Sequence, residues 1–158
     1  MHIHRLEKIW LIIGTGMLVV FLLVLGFGTF ALGAEPPGSH GGHSAIDPTL
    51  AAQTPPFDNP GLVKIGDNEY AAYMLAFAFG YSPQNMEVPV GAKVHFYVTS
   101  TDVVHGFAIP KTNVNFMVVP GEVNHVVHTF KEPGEYLVLC NEYCGVSHQY
   151  MMTKIIVK

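Results

Sequence analysis

Charge is scarce in this chain. Only 13 % of its 158 residues are Asp, Glu, Lys or Arg, and none lies between Ile9 and Leu32. Basic residues are the rarer sign: from Glu35 onward there are 6 Lys and no Arg against 11 Asp or Glu, a balance of −5 before histidine. That sign excludes a nucleic-acid partner and suits a basic one, because opposite charge speeds encounter. Cysteine is almost absent, with Cys140 and Cys144 the only two. Beyond the apolar run there is no amphipathic helical periodicity over about ten residues, and no internal repeat, which excludes helical bundles and solenoids.

The uncharged run Ile9–Leu32 has 24 residues. As a helix at about 1.5 Å per residue it spans roughly 36 Å, enough to cross a hydrocarbon core of about 30 Å with some tilt. Its glycines (Gly14, Gly16, Gly26, Gly28) are tolerated in membrane helices but form no G-x-x-x-G face. Arg5 and Lys8 precede the run and Glu35 follows it, so the positive-inside rule places the N-terminus in the cytoplasm and the rest outside the cell membrane, as a single-pass anchor. Small residues around Ala31-Leu32-Gly33 offer a signal-peptidase site, but the run exceeds the 7–15 residues of a signal core. Residues 1–34 are therefore expected to be the N-terminal segment and anchor. Residues 35–60, rich in Gly, Pro, Ser and Asp, are expected to be a flexible linker, with His40 and His43 as mobile polar residues rather than a metal site.

Residues 61–158 read as short strands between turns: Glu69–Phe79, Met86–Val90, Lys93–Ser100, Val103–Ile109, Asn115–Val119, Glu122–Phe130, Gly134–Leu139 and Thr153–Val157. Several alternate apolar with polar, and turn signals recur at Pro89-Val90-Gly91, Pro120-Gly121 and Pro133-Gly134. The fold class predicted is mainly β, a sandwich or barrel behind one N-terminal transmembrane helix.

The chemistry is concentrated in C-N-E-Y-C-G-V-S-H-Q-Y-M, from Cys140 to Met151. Two thiolates, the imidazole of His148 and the thioether of Met151 are soft ligands that select copper over magnesium, calcium or manganese. A C-x3-C pair outside the cytoplasm can also form a disulfide; the neighbouring His and Met weigh towards metal. One Cys would suggest a mononuclear blue-copper site, whereas the second, with His and Met beyond it, suggests two coppers sharing two sulfurs. The run follows the strand Gly134–Leu139, so it is a loop on a rigid scaffold. Met151 is taken as a ligand and Met152 as the packing residue, since strand neighbours point to opposite faces. A second His is needed. His105, beside Gly106 and after Val103-Val104, is at a loop; His95, His125 and His128 lie within strand patterns and read as surface or half-buried residues.

C-x-E-x-C-x3-H-x2-M, with V-V-H-G-F some 35 residues upstream, resembles the dinuclear CuA site of cytochrome c oxidase subunit II. The resemblance covers nearly the whole chain. The stretches Ala76–Tyr81 and Phe116–Val123, and the single membrane helix, resemble the B-family (ba-type) haem–copper oxidases. The resemblance implies a cupredoxin-like Greek-key domain over residues 61–158. It further implies that Cys140 and Cys144 bridge two coppers, that His105 and Met151 complete one, and that His148 and the backbone carbonyl of Glu142 complete the other. The implied function is electron entry. Cytochrome c is the donor, haem in subunit I the acceptor, and dioxygen is reduced to water with proton pumping, without bond chemistry in this chain. Implied partners are subunit I, which alone holds haem, and a small additional subunit. Phe79, Phe107 and Tyr143 are expected to shield the site. Glu7, just before the helix, matches the mouth of a proton path in that family.

Four other readings are weighed. A copper chaperone has C-x3-C and a distant His, but a thioredoxin-like fold with long helices. A mononuclear cupredoxin needs one Cys. A CuA subunit of a nitric oxide reductase carries the same ligands. A quinol oxidase subunit has lost them.

Overall fold

The computed structural model describes residues 4–32 and 44–158. The chain divides into two compact units, Met1–Glu35 and Pro36–Lys158. His40 and His43 lie outside the described residues.

The first unit is one helix, α1 (Arg5–Leu32), 28 residues long. Within it Arg5–Ala31 is apolar enough to cross a membrane. Its apolar side chains, from Leu6 to Phe30, are exposed on all sides. A helix apolar all round is stable only in lipid or against other helices. The charged residues Arg5, Glu7 and Lys8 occupy its first turns, where a charge can stay hydrated.

The second unit consists of strands β1 (Ser44–Ala45), β2 (Gly61–Gly66), β3 (Glu69–Phe77), β4 (Gly80–Ser82), β5 (Asn85–Val88), β6 (Lys93–Ser100), β7 (His105–Ala108), β8 (Asn115–Val118), β9 (Glu122–Thr129), β10 (Gly134–Leu139) and β11 (Met152–Val157). One sheet runs β1-β9-β6-β3-β2, with β4 paired to β3; the other runs β5-β11-β10-β7-β8. Pairing is antiparallel except for β3 with β6 and β5 with β11. Side chains from the two inner faces, including Met74, Phe96, Phe107, Phe116, Phe130 and Ile155, form the main core. Among the described residues of this unit the only helical pieces are two three-residue 3-10 turns, Ala51–Gln53 and His148–Tyr150. A thioredoxin-like chaperone needs more.

Two expectations change. Residues 44–60 are not free linker: β1 pairs with β9, and Ala51 and Phe57 are buried in a second core with Leu75 and Val123. The outer face of the first sheet presents apolar Leu75 and Val123, which water would otherwise meet, and the Pro-rich segment folds back over them. Residues 69–79 do not form one strand; the chain turns after Phe77 and returns as β4. Burial of both Ala71 and Ala72 shows why β3 lacks alternation, since both its faces are covered at that point.

Beyond the second core the outer face carries a polar stack. Tyr73 stacks on Tyr97 at 5.3 Å and Tyr97 on His125 at 4.4 Å. His95 Nδ1 lies 3.0 Å from His125 Nε2, and His95 Nε2 lies 2.8 Å from a carboxylate oxygen of Glu69, which also pairs with Lys93. Burial, then the neighbouring His95, holds His125 below the usual imidazole range. The unfolded chain therefore takes up that proton before the folded one does, and stability falls as pH drops below about 6.5. The copper-free chain in detergent is expected to melt at lower temperature at pH of about 5 than at about 7, and His125→Gln to flatten that slope. Identical slopes in both proteins would remove His125 from the account.

Candidate metal centre

β10 ends at Leu139 and β11 begins at Met152, so Cys140–Met151 is the loop joining two paired strands. Cys140 N–H donates to Met151 O at 3.2 Å and closes the loop at its base. Both candidate ligands at its ends are thereby fixed to one sheet. Within it, Gly145 takes φ +131°, and a Cβ there would come within 2.9 Å of the Phe79 ring. The 3-10 turn His148–Tyr150 brings His148 Nδ1 to 3.5 Å from Cys144 Sγ.

His105 arrives from β7, which lies beside β10. The two strands are in register only at Ala108 and Leu139, so past that pair β7 runs alongside the loop instead of a strand. Gly106 makes this approach feasible. Its N–H donates to Cys140 Sγ at 3.3 Å, and a Cβ on it would collide with Asn141 Oδ1 and come within 2.6 Å of Asn141 N.

The result is a compact cluster. Ligand atoms of His105, Cys140 and Cys144 lie within 4.8 Å of one another. The two sulfurs are 3.8 Å apart and both thiols are free, far beyond the S–S length of about 2.05 Å. Met151 Sδ is 3.5 Å from Cys144 Sγ, and Cys140 Sγ is 3.1 Å from Glu142 O. The structure therefore brings His105, Cys140, Cys144, His148, Met151 and the Glu142 carbonyl together. His95, His125 and His128 lie on β6 and β9, in the other sheet.

One buried group tests whether a metal fits. His105 is fully buried, and its Nδ1 has no hydrogen-bond partner. Nε2 lies 2.7 Å from Asp102 Oδ1, so it carries the proton and donates it. Nδ1 is left with a free lone pair, in a residue that clusters with two thiols. Such an orphan costs about 1–3 kcal/mol in an apolar interior; a soft cation satisfies it. The carboxylate–imidazole arrangement is the usual support for a metal-ligating histidine. Burial raises the Asp102 pKa, but hydrogen bonds from His105 and from the Ala78 and Val103 N–H groups prevail and hold its carboxyl below the usual range. Burial, reinforced by Cys140, pushes the Cys144 thiol up to about 11. Binding a soft metal releases that proton, so metal affinity rises with pH.

Several details differ from expectation. Met152 is 51 % exposed and Met151 is 2 % exposed, so Met151 is the residue that packs. β11 turns Thr153, Ile155 and Val157 inward, which sends Met152 out. Tyr143 is 79 % exposed and shields nothing; its ring lies 5.8 Å from that of His148. Phe107 is in the core and Phe79 is half-buried against it. Asp102 and Tyr81 were missed. Asp102 stands three residues before His105, and that spacing was the available signal. Nothing local marks Tyr81, which is buried on β4 with its hydroxyl 2.5 Å from Gly106 O. Burial, then Cys140 beside it, pushes its phenol well above the usual range.

A two-sheet β-sandwich with a soft-ligand loop at one end is the plan of a cupredoxin-like domain, here following an apolar helix. The profile of the cytochrome c oxidase subunit II periplasmic domain matches residues 72–158. The chain is 46 % identical over 156 residues to a cytochrome c oxidase subunit 2 of Thermus thermophilus, covering 96 % of this chain and 91 % of that one. A second such protein from Thermus thermophilus is 51 % identical over 115 residues, covering 72 % and 85 %. A chain of a haem–copper terminal oxidase dimer superposes with a TM-score of 0.71 at 33 % identity, covering 98 % of this chain and all of that one. The periplasmic domain of subunit II of a Bradyrhizobium japonicum cytochrome oxidase shares the fold, with a TM-score of 0.52 at 23 % identity over 56 % of this chain and 83 % of that one. The chain belongs to the cytochrome c oxidase subunit II family.

Gly106→Ala is expected to force β7 away from the Asn141 backbone. Copper retained after dialysis should drop below half of the parent's, with melting lowered by roughly 5 °C or more. Full copper retention would show that the close approach is not needed.

Proposed function

We propose that this chain is the electron-entry subunit of a cytochrome c oxidase, taking single electrons from cytochrome c outside the membrane and passing them to haem in subunit I. The observation that carries this is the orphaned Nδ1 of His105, a residue clustered with two free thiols 3.8 Å apart, with His148 and Met151 beside Cys144. Cys140 and Cys144 would hold both coppers, with His105 and Met151 for one and His148 and the Glu142 carbonyl for the other. A bound copper pair supplies one-electron redox chemistry.

The protein's own part is to hold, orient and exclude. Asp102 keeps the proton on His105 Nε2 and leaves Nδ1 for metal. The base of the loop, closed from Cys140 N–H to Met151 O, fixes both its ends, so ligands held by two paired strands move little when an electron arrives or leaves. The buried positions of His105, Cys144 and Met151 keep water off the ligands. Exposed apolar residues surround these positions in the chain: Val103, Val104, Tyr143, Val146 and Tyr150. They offer a desolvating contact for a donor, while the acidic balance of the outer part favours a basic one.

The B-family assignment, a small additional subunit and an N-terminus in the cytoplasm belong to the same proposal. So do the proposed boundaries, with 1–34 as anchor segment and 61–158 as copper domain, on which 44–60 pack. Proton pumping is the work of the whole complex, and Glu7 is placed at its cytoplasmic proton entrance.

The full-length chain in detergent, loaded with copper, should hold about two coppers per chain. Its EPR spectrum should show hyperfine splitting by two equivalent copper nuclei, and Cys144→Ser should abolish that pattern. A spectrum of one copper nucleus would require a mononuclear site instead. In the assembled complex, Glu7→Ala should slow turnover while copper content stays constant; unchanged turnover would remove Glu7 from the proton path.

A further inference from the structure

Gly106 sits where a strand ladder runs out. Ile109 N–H donates to Val114 O, and the register of β7 on β8 makes Phe107 with Phe116 and His105 with Val118 the remaining hydrogen-bonded pairs. Gly106 therefore turns its N–H and C=O away from β8, towards the β10 side. There β7 and β10 are in register only at Ala108 and Leu139, and the position opposite Gly106 has already left the sheet. Gly106 is buried, so both its backbone groups need partners. The N–H finds Cys140 Sγ at 3.3 Å. The C=O accepts from the Tyr81 hydroxyl at 2.5 Å.

Tyr81 is built for this contact. It is 1 % exposed, on a three-residue strand that folds back on β3. Its ring packs edge-on against Phe107 at 5.6 Å and 89°. Phenylalanine would fill the same volume, so the hydroxyl is there for its hydrogen bond. Gly106 has no side chain with which to anchor itself, and it separates His105 from the rest of β7.

We propose that Tyr81 is a positioning residue for the copper centre: its hydroxyl replaces the missing strand partner at Gly106 O and so holds Gly106 N–H on Cys140 Sγ. This rests on the copper reading above. A donor on a ligating sulfur withdraws electron density from it, and hydrogen bonding around such a sulfur tunes the reduction potential. With the hydroxyl removed, the Gly106 C=O loses its partner, β7 relaxes at this residue, and the N–H contact to sulfur weakens. The centre then accepts an electron less readily.

The test uses the full-length, copper-loaded chain and Tyr81→Phe. Copper content and EPR are measured, together with the equilibrium for reduction against a redox mediator. Phe116→Leu, which removes a core ring stacked on Phe107 without touching the hydroxyl, is the packing control. Tyr81→Phe is expected to keep its copper, to change the copper hyperfine splitting, and to lower the equilibrium constant for reduction by roughly fivefold, the scale of one hydrogen bond. Phe116→Leu is expected to melt earlier with that constant unchanged. Loss of copper from Tyr81→Phe with its melting curve retained would support the same role. A Tyr81→Phe protein matching the parent in EPR and potential overturns the proposal, as does an equal shift in Phe116→Leu. A parent that binds no copper overturns the copper reading itself and this inference with it.

Discussion

A buried imidazole nitrogen without a partner is the constraint on which the metal end of this protein depends. His105 spends one nitrogen on Asp102 and leaves the other bare in an apolar interior. Taken alone that is destabilising. It is tolerable because His105 clusters with two thiols, one of which meets a second imidazole and a thioether, and a soft cation satisfies such a donor set.

The sandwich makes this arrangement possible by ending its ladders early. β7 and β10 share one residue pair, and beyond it backbone groups that would bond to a neighbouring strand turn to side chains instead. Gly106 N–H takes a sulfur, and its carbonyl takes a phenol. Asn141 reaches across to Asn115, with Nδ2 donating to Oδ1 at 3.0 Å. The loop is thereby tied on several sides without long helices or a disulfide. A ligand set held this way has little freedom to rearrange, as rapid electron transfer requires.

Burial and exposure are divided by task. His105 and Met151 are inside, whereas Tyr143, Val146 and Tyr150 of the same region are left in contact with solvent. The N-terminal helix exposes apolar side chains along its length, so it suits lipid or a neighbouring helix.

Much of this was legible in the chain. The uncharged run named the helix, alternation named most of the strands, and Cys140 to Met151 named the soft ligands, because each of these signals lies within a short window of residues. His105 was reachable as the histidine beside a glycine at a loop. The rest was not local. Met151 and Met152 exchange their packing roles because β11 enters with Thr153 facing inward. Residues 44–60 read as linker because their composition is that of a loop, yet a second apolar face on β3 and β9 draws them down. Tyr81 and the close approach of Gly106 to Asn141 join residues that are 25 and 35 positions apart. The sequence by itself determined which atoms could bind a metal and where strands would alternate, since those follow from side-chain chemistry and the two-residue period of a strand. Only the tertiary structure decided which lone pair stays free, which donor reaches which sulfur and which methionine faces inward, since those follow from how two sheets close on each other.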